Sequence, residues 1–434
     1  MSEILADLAL ATYRAAGRLA APLVDLALRR RESAGKEDPA RRDERRGLPS
    51  LSRPDGRLVW VHAASVGEML AALAFVERLT ATGAAVLVTT GTVTSAEIAA
   101  TRLPIGARHQ YVPVDVPGWV DRFLDHWRPD LAVFVESEIW PATIRALAVR
   151  NIPQVLVNAR ISERSARRWG RFDGLPRALF GRLALALAQS DADGERLRRL
   201  GTPAVVVSGN LKFDGRPLGV DDGERARLAD AIAARPTWVA ASTHAGEEAI
   251  VATVHRMLRQ SLPDILTVLA PRHPRRGDEV RAVLAEAGLS VASRSKGEMP
   301  CPDSDVYLAD TIGEMGLVYR LAPVAFVGGS LVPHGGQNPI EPTLLGVAVL
   351  HGPQVRNFAD VYRALDESCG ARSVADAATL AAAVAEAHAD PAALAACVAR
   401  ARAVVGASTG ALDRTVDALA PWLPPTVEVA RWRD

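Results

Sequence analysis

The sequence predicts an α/β protein of two doubly wound, Rossmann-like domains facing each other across a cleft. Three observations predict it. First, short apolar runs recur at 58–63, 86–90, 110–113, 131–135, 154–157, 184–188 and 204–208, with helical stretches such as 68–80, 94–102, 118–127 and 141–150 between them. Apolar runs of this kind joined by helices read as parallel strands covered on both faces. Second, a similar series follows, with strands near 237–241, 264–270, 289–292, 305–309, 323–328 and 347–351 and helices near 246–260, 276–287, 313–321 and 341–345. Third, Asn210, Gly215 and Pro217 interrupt the periodicity between the two series, and a chain of 434 residues is long for a single core. The expected units are 1–46, an N-terminal amphipathic helix and basic linker; 47–215, a first Rossmann-like domain; and 216–434, a second. Residues 375–420 are Ala-rich and helical, with Pro391 opening one segment. They are expected to cover the second sheet, and the last helix can cross back to the first domain.

The N-terminal helix is expected over residues 4–28. Asp7, Arg14, Arg18 and Asp25 interrupt its apolar run, so a simple transmembrane span is disfavoured. At 100° per residue these four fall within an arc of ~40°. A thin charged stripe with a broad apolar remainder suits a helix lying in a membrane surface, or one packed against a partner. Met1-Ser2-Glu3 is not basic and no clear small-residue cleavage site follows, unlike a signal peptide. Residues 29–46 are dense in Arg with Glu and Asp mixed in, which reads as a solvated linker or as a juxtamembrane stretch near anionic headgroups.

Composition excludes several classes. The formal net charge is +1, so no nucleic-acid partner is expected. Cys301, Cys369 and Cys397 lack CxxC spacing, which argues against a disulfide framework or a zinc site and fits a reducing compartment. No GxGxxG follows a strand and no GxxxxGK[ST] occurs, which argues against a dinucleotide dehydrogenase and a P-loop enzyme. Two DxD strings, Asp191–Asp193 and Asp303–Asp305, read as a helix start and a loop rather than metal sites.

Candidate sites lie where strands end, the edge at which open α/β sheets bind ligands. The strand at 58–63 runs into Ser65-Val66-Gly67-Glu68, and Gly67 lets a ligand approach the backbone closely. Glu68 is either a general base or a charge favouring the helix start, and the helix start is expected to help keep it ionised. The strand at 131–135 ends in Glu136-Ser137-Glu138, and Pro141 suits the first turn of the next helix. The strand at 264–270 ends in Pro271-Arg272-His273-Pro274-Arg275-Arg276, a stiffened basic turn suited to an anionic ligand. Asp310 to Met315 open a helix, where free N–H groups receive phosphate. Gly328-Gly329-Ser330 and Gly335-Gly336 mark tight turns before Asn338 and Glu341, an arrangement able to clamp sugar hydroxyls. Arg164, Arg167, Arg168 and Arg171 share one helical face, either solvated or facing phosphates of an acceptor or a membrane.

Eight strings occur in order: HAASVGE (62–68), ESEIWP (136–141), NARIS (158–162), GNLKFD (209–214), STHAGEE (242–248), APRHPRR (270–276), DTIGEMG (310–316) and GGSLVPHGGQNPIEP (328–342). Together they resemble the 3-deoxy-D-manno-octulosonic acid (Kdo) transferases of Gram-negative bacteria over nearly the whole chain. The resemblance implies a GT-B glycosyltransferase that moves Kdo from CMP-Kdo onto lipid IVA at the cytoplasmic face of the inner membrane. It implies inversion of the anomeric centre, no metal, and no cofactor beyond the donor. It places the proton acceptor at Glu68 and transition-state support at Glu136 and Lys212. CMP contacts fall on Pro271 and Arg272, on Gly313, Glu314 and Met315, and on Asn338, Pro339, Ile340 and Glu341. Ser65, Gly67, Glu138 and Arg160 in the first domain, and His273 and Gly336 in the second, complete the candidate substrate contacts. Two other readings remain at this stage: a GT-B enzyme with a different nucleotide-sugar donor, and a non-catalytic two-domain binding protein.

Overall fold

The computed structural model describes residues 2–172, 174–214, 218–423 and 432. The chain divides into two compact units: Met1–Asp214 with Ser408–Asp434, and Gly215–Ala407. The expected boundary at 215/216 lies outside the described residues.

The first unit alternates strand and helix: α1 (Ser2–Ser33), β1 (Leu58–His62), α2 (Val66–Ala81), β2 (Ala85–Thr90), α3 (Val93–Arg102), β3 (Ala107–Tyr111), α4 (Pro117–Trp127), β4 (Leu131–Val135), α5 (Pro141–Val149), β5 (Gln154–Ala159), α6 (Glu163–Trp169), α7 (Leu175–Phe180), β6 (Leu185–Ala188), α8 (Asp191–Leu200) and β7 (Val205–Val207). Among the described residues its strands form one parallel seven-stranded sheet in the order β3-β2-β1-β4-β5-β6-β7. The central strands are buried along their length, which is why Leu58-Val59-Trp60-Val61 and Leu131 to Val135 read as unbroken apolar runs. β3 is an edge strand and begins earlier than expected, because an edge tolerates the exposed Arg108 that breaks the apolar run. Trp60 donates its indole N–H to Thr89 Oγ1 on the neighbouring strand (2.8 Å), closing the one polar demand of a buried ring.

Residues 29–46 are not a solvated linker. α1 runs on to Ser33, and Pro39–Arg46 form a 3₁₀ helix capped by Asp38. Glu44 is 1% exposed. It accepts from the Tyr111 N–H (2.7 Å) and from Arg41 Nε (2.9 Å). Arg31 pairs with Glu37 (2.7 Å), Arg42 with Glu32 (2.6 Å), and Arg46 Nε donates to Asp25 (2.6 Å). The Glu and Asp mixed into this stretch are the partners that fold it down. α1 packs against α4, α5 and α7. It buries Leu10 and Leu28 while leaving Leu8, Leu19, Leu23 and Leu26 exposed. Tyr13 donates to Asp115 (3.0 Å), whose carboxylate also receives the Ala142 and Thr143 N–H groups at the start of α5 (2.9 and 2.8 Å).

The second unit comprises α9 (Asp222–Ile232), β8 (Thr237–Thr243), α10 (Glu247–Leu258), β9 (Leu266–Pro271), α11 (Gly277–Glu286), β10 (Val291–Ser293), β11 (Val306–Leu308), α12 (Met315–Tyr319), β12 (Val324–Val327), α13 (Ile340–Leu344), β13 (Ala348–His351), α14 (Ala359–Glu367), β14 (Ala371–Ser373), α15 (Ala377–Ala389) and α16 (Pro391–Ala407). Its parallel sheet has the order β10-β11-β9-β8-β12-β13-β14. The edge strand β14 was not legible, since Arg372 and Ser373 are exposed and the strand is three residues long. Trp238 donates to Thr267 Oγ1 (2.8 Å), the same first-strand to second-strand contact as in the first unit. The stretch Pro391–Trp422 is long and apolar enough to cross a membrane by length and composition alone. It is divided at Gly410, in the left-handed region at φ 85°, into α16 and α17 (Ala411–Leu419), which belong to different units. α17 packs on α2, and Asp214 accepts from the Gly410 N–H (2.6 Å).

Candidate active site

Each strand order reverses once. In the first unit the chain leaves β1 toward β2 and β3, then returns to place β4 on the other side of β1. In the second it leaves β8 toward β9, then returns to place β12 beside β8. The loops leaving the two strands diverge at such a point and open a crevice at their carboxyl ends. Glu68 follows β1 and Glu136 follows β4, so the first unit's candidate acids flank its switch point. His244 to Gly246 follow β8 and Gly328 to Gln337 follow β12, flanking the second.

Glu68 is held from two sides. Its carboxylate accepts from the Ala64 N–H (2.7 Å) and the Ser65 hydroxyl (2.8 Å). Ser65 in turn caps α2 by accepting from the Glu68 N–H (3.3 Å). Burial pushes the Glu68 carboxyl up to about 7; the Ser65 and Ala64 hydrogen bonds oppose this, and Glu136 and Glu138 add to it. The donors at the helix start favour the ionised Glu68, as expected, but desolvation outweighs them and leaves the carboxyl raised.

Glu136 sits in the left-handed region at φ 63°. A non-glycine residue there costs on the order of 1–3 kcal/mol and points to a site constraint. Its carboxylate accepts from Lys212 Nζ at 2.9 Å. Lys212 is placed by a chain of local contacts. Asn210 Oδ1 accepts from the Lys212 N–H (3.0 Å), and Asn158 Oδ1 accepts from the Leu211 N–H (2.9 Å). Asn158 is itself at φ 53°, where the β5–β6 register shifts. Ser137 donates to the carbonyl of Arg160, joining the β4 and β5 ends. Glu138 accepts from the Trp140 indole (2.5 Å), and burial raises its pKa, with Glu136 adding to the rise.

His62 was not singled out from the sequence. It is 1% exposed at the end of β1, and Nε2 lies 3.8 Å from Glu138. Burial lowers its pKa to about 4, so it is neutral beside the acid cluster. Its signal was available: a His as the last residue of a strand that ends at the candidate site.

The second unit concentrates positive and imidazole groups. The His244 ring stacks on His334 at 4.0 Å and lies 6.0 Å from His273. Burial, then the neighbouring imidazoles and Arg272 and Arg276, lower the His244 pKa to about 4. Gln337 Nε2 lies 3.0 Å from His244 Nε2. Glu247, also missed, is fully buried. It accepts from the N–H groups of His244 (2.9 Å), Gly329 (2.7 Å), Ser330 (3.1 Å) and Leu331 (3.0 Å), tying together the loops that follow β8 and β12. Pro271 ends β9, and the Arg272 N–H donates to Thr243 (2.9 Å). Gly313 lies at φ 86°, and Arg294 clasps Glu314 through two contacts (2.5 and 2.6 Å), fixing the turn into Met315. The Gly336 N–H donates to Gly329 (2.7 Å). Asn338 accepts from the Ile340 N–H (3.0 Å) and donates to Glu341 (3.3 Å), with Pro339 between them.

The arginine face of α6 in the first unit lines a groove of its own. α6 ends at Trp169, so Arg171 lies beyond it. Arg164, Arg167, Arg168 and Arg171 line a groove of about 610 Å³ with Glu163, which pairs with Arg167 (3.1 Å). The two DxD strings are structural. Asp193 accepts from the Ile161 N–H (3.0 Å), and Asp305 pairs with Arg259 (3.1 Å).

Two open parallel sheets, each with its candidate residues at the carboxyl ends flanking a switch point, are the architecture of the GT-B fold. A solved glycosyltransferase from Rickettsia africae has the same fold, with a TM-score of 0.56 and 11% identity over 85% of this chain and 99% of that one. The family model for 3-deoxy-D-manno-octulosonic-acid transferase (kdotransferase) matches residues 40–215. The 3-deoxy-D-manno-octulosonic acid transferase of Haemophilus influenzae is 36% identical over 393 residues, covering 88% of this chain and 90% of that protein. That of Bordetella pertussis is 38% identical over 377 residues, covering 84% and 87%. The chain belongs to the 3-deoxy-D-manno-octulosonic acid transferase family.

Proposed function

We propose that the chain transfers Kdo from CMP-Kdo to lipid IVA, with inversion at the anomeric carbon and without a metal or other cofactor. The observation that carries the reading is Glu68: a carboxyl group with a pKa of about 7, fixed by two donors at a switch point. A base works best when its pKa lies near the working pH. The acceptor hydroxyl gives its proton to Glu68 as its oxygen bonds to the anomeric carbon. The bond from that carbon to the phosphate oxygen breaks, and CMP leaves with the electron pair. Glu136 and Lys212 support the transition state, which has oxocarbenium character: the Glu136 carboxylate faces the positive charge developing at the sugar, and Lys212 holds that carboxylate in place. Ser65, Gly67, Glu138 and Arg160 contact the acceptor side.

The second unit binds CMP through Pro271 and Arg272, through the turn Gly313-Glu314-Met315, and through Asn338 to Glu341, with His273 and Gly336 alongside. Its cationic groups balance the charge of the leaving phosphate. The acceptor is amphiphilic, so the chain works at the cytoplasmic face of the inner membrane, with the exposed leucines of α1 toward the lipid.

Purified full-length chain is incubated with CMP-Kdo and lipid IVA, and the product is weighed by mass spectrometry. Addition of Kdo with release of CMP is expected, unchanged by EDTA. Turnover of UDP-sugars instead of CMP-Kdo would establish another donor, and absence of any transfer would leave a binding protein.

A further inference from the structure

A second groove in the first unit is unrelated to the Glu68 site. It lies between α1 and α5, encloses about 580 Å³, and is lined by Ala11, Arg145, Ala148, Val149 and Arg182. Two guanidinium groups and three small apolar side chains make up this lining, and none of the five is acidic. The Nε of Arg145 is buried and, among the described residues, has no hydrogen-bond partner. A buried donor left in this way is costly unless a ligand completes it. The neighbouring Arg150, by contrast, is already held by Asp121 (3.1 Å) and Asp125 (2.7 Å).

The groove borders an apolar surface. On α1, Leu8, Leu19, Leu23 and Leu26 are exposed. At 100° per residue they fall within about 60° of one another, and Ala11 lies about 60° from Leu8 on one flank. Arg18, exposed two turns after Ala11, lies about 20° from it around the axis. One side of α1 is thus a leucine stripe, and the flank beside it leads into a pocket of cations. An anionic amphiphile has the matching order of parts: apolar chains, then a phosphate at the interface.

We propose that the α1–α5 groove is a binding site for the phosphate headgroup of an anionic phospholipid, held by Arg145 and Arg182 while the α1 leucines enter the bilayer surface. The inference rests on the membrane-surface reading above and assigns it a specific headgroup site. It does not involve Glu68, Glu136, Lys212 or the second unit.

The test is flotation of the full chain with phosphatidylcholine vesicles, and with vesicles of phosphatidylcholine and phosphatidylglycerol that carry a negative surface charge. The wild type is expected to prefer the anionic vesicles by roughly tenfold or more. The pair Arg145→Gln and Arg182→Gln removes that preference, and the pair Arg145→Lys and Arg182→Lys restores most of it. Leu19→Ser with Leu23→Ser weakens binding to both vesicle types. Transfer to detergent-dispersed lipid IVA stays within about twofold of wild type in the Gln pair, since no reacting group is touched.

Equal binding of wild type to both vesicles overturns the headgroup site and leaves the membrane reading standing, whereas no binding to either overturns both. An equal loss from Arg225→Gln with Arg227→Gln, on exposed α9, would reduce the effect to general charge and overturn it. So would loss of detergent-phase transfer in the Gln pair, which would assign the arginines to the acceptor. Tight binding of glycerol phosphate without vesicles would assign the groove to a free phosphate and equally overturn the proposal.

Discussion

Lys212 Nζ lies 2.9 Å from the Glu136 carboxylate, joining the 3₁₀ turn after β7 to the end of β4. The two residues are 76 positions apart, and Glu136 is held at φ 63°. A partly buried pair of this kind is worth more intact than either member is alone. Lys212→Met is expected to lower stability by about 1–3 kcal/mol, because it leaves a half-buried carboxylate without its cation. Transfer falls by about 100-fold if the ammonium supports charge in the transition state. The double variant with Glu136→Gln should lose less stability than the two single losses added together. Chemical denaturation and initial rates of the three variants measure both effects.

Glu68 sets a pH dependence. As a base it must be ionised, so kcat/KM should rise with pH and level off above about 7, where burial has placed its pKa. Glu68→Gln should lower transfer by about 10²–10⁴-fold and remove this limb. Stability moves the opposite way. The folded carboxyl holds its proton more tightly than the usual 4.5. Its contribution is therefore full below 4.5 and lost as pH rises through about 7. At pH 8 the Gln variant should be at least as stable as wild type, while being far less active. A large loss of stability at pH 8 would contradict the desolvated carboxylate.

Glu247 is a structural anchor for the second unit's switch point. Glu247→Gln replaces one acceptor oxygen with an amide that faces N–H donors, among them Gly329 and Ser330. The expected cost is on the order of 3 kcal/mol, which in a unit of this size lowers Tm by roughly 6–12 °C. Calorimetry reads the second unit's transition, and weakened CMP binding should accompany it.

Gly328 is required by close approach, not by its dihedral angles. A Cβ there would lie 2.7 Å from the Ser242 carbonyl oxygen and 2.8 Å from the Thr243 Cα. Both are backbone atoms of the bulged end of β8, where the register shifts. Gly328→Ala should separate the loops after β8 and β12 and raise the Kd for CMP by tenfold or more, a free-energy loss of about 1.4 kcal/mol. Isothermal titration with CMP checks it, and unchanged affinity would show that the loop end does not shape the nucleotide site.

Much of the fold was legible because parallel strands buried on both faces must be written in uninterrupted apolar residues. Val59 to Val61, Leu131 to Val135 and Val324 to Val327, short runs bounded by turn signals, read as such strands. The edge strands were the poor cases: β14 exposes two of its three residues, and β3 carries Arg108. Residues 29–46 misled for a different reason. A mixed run of Arg, Asp and Glu has the same composition whether its charges are solvated or paired with one another, and only the positions of Glu37 and Glu44 in space distinguish the two.

The candidate site divides along the same line. By itself the sequence determined which residue types stand at the strand ends, the ordered strings that carry the family, and the local cap in which Ser65 and Glu68 serve each other over three residues. These are short-range patterns, and short-range patterns are written in the chain. Tertiary structure decided the rest. The strand orders show that β1 neighbours β4 and that β8 neighbours β12, which turns separate loops into two switch points. Burial, a property of everything packed around a group, decided that Glu68 titrates near 7 and that His62 is neutral. Glu247 shows the difference most directly. In the sequence it is one of two acids opening a helix; in the fold it is fully buried, and its oxygens receive N–H groups from residues more than 80 positions away.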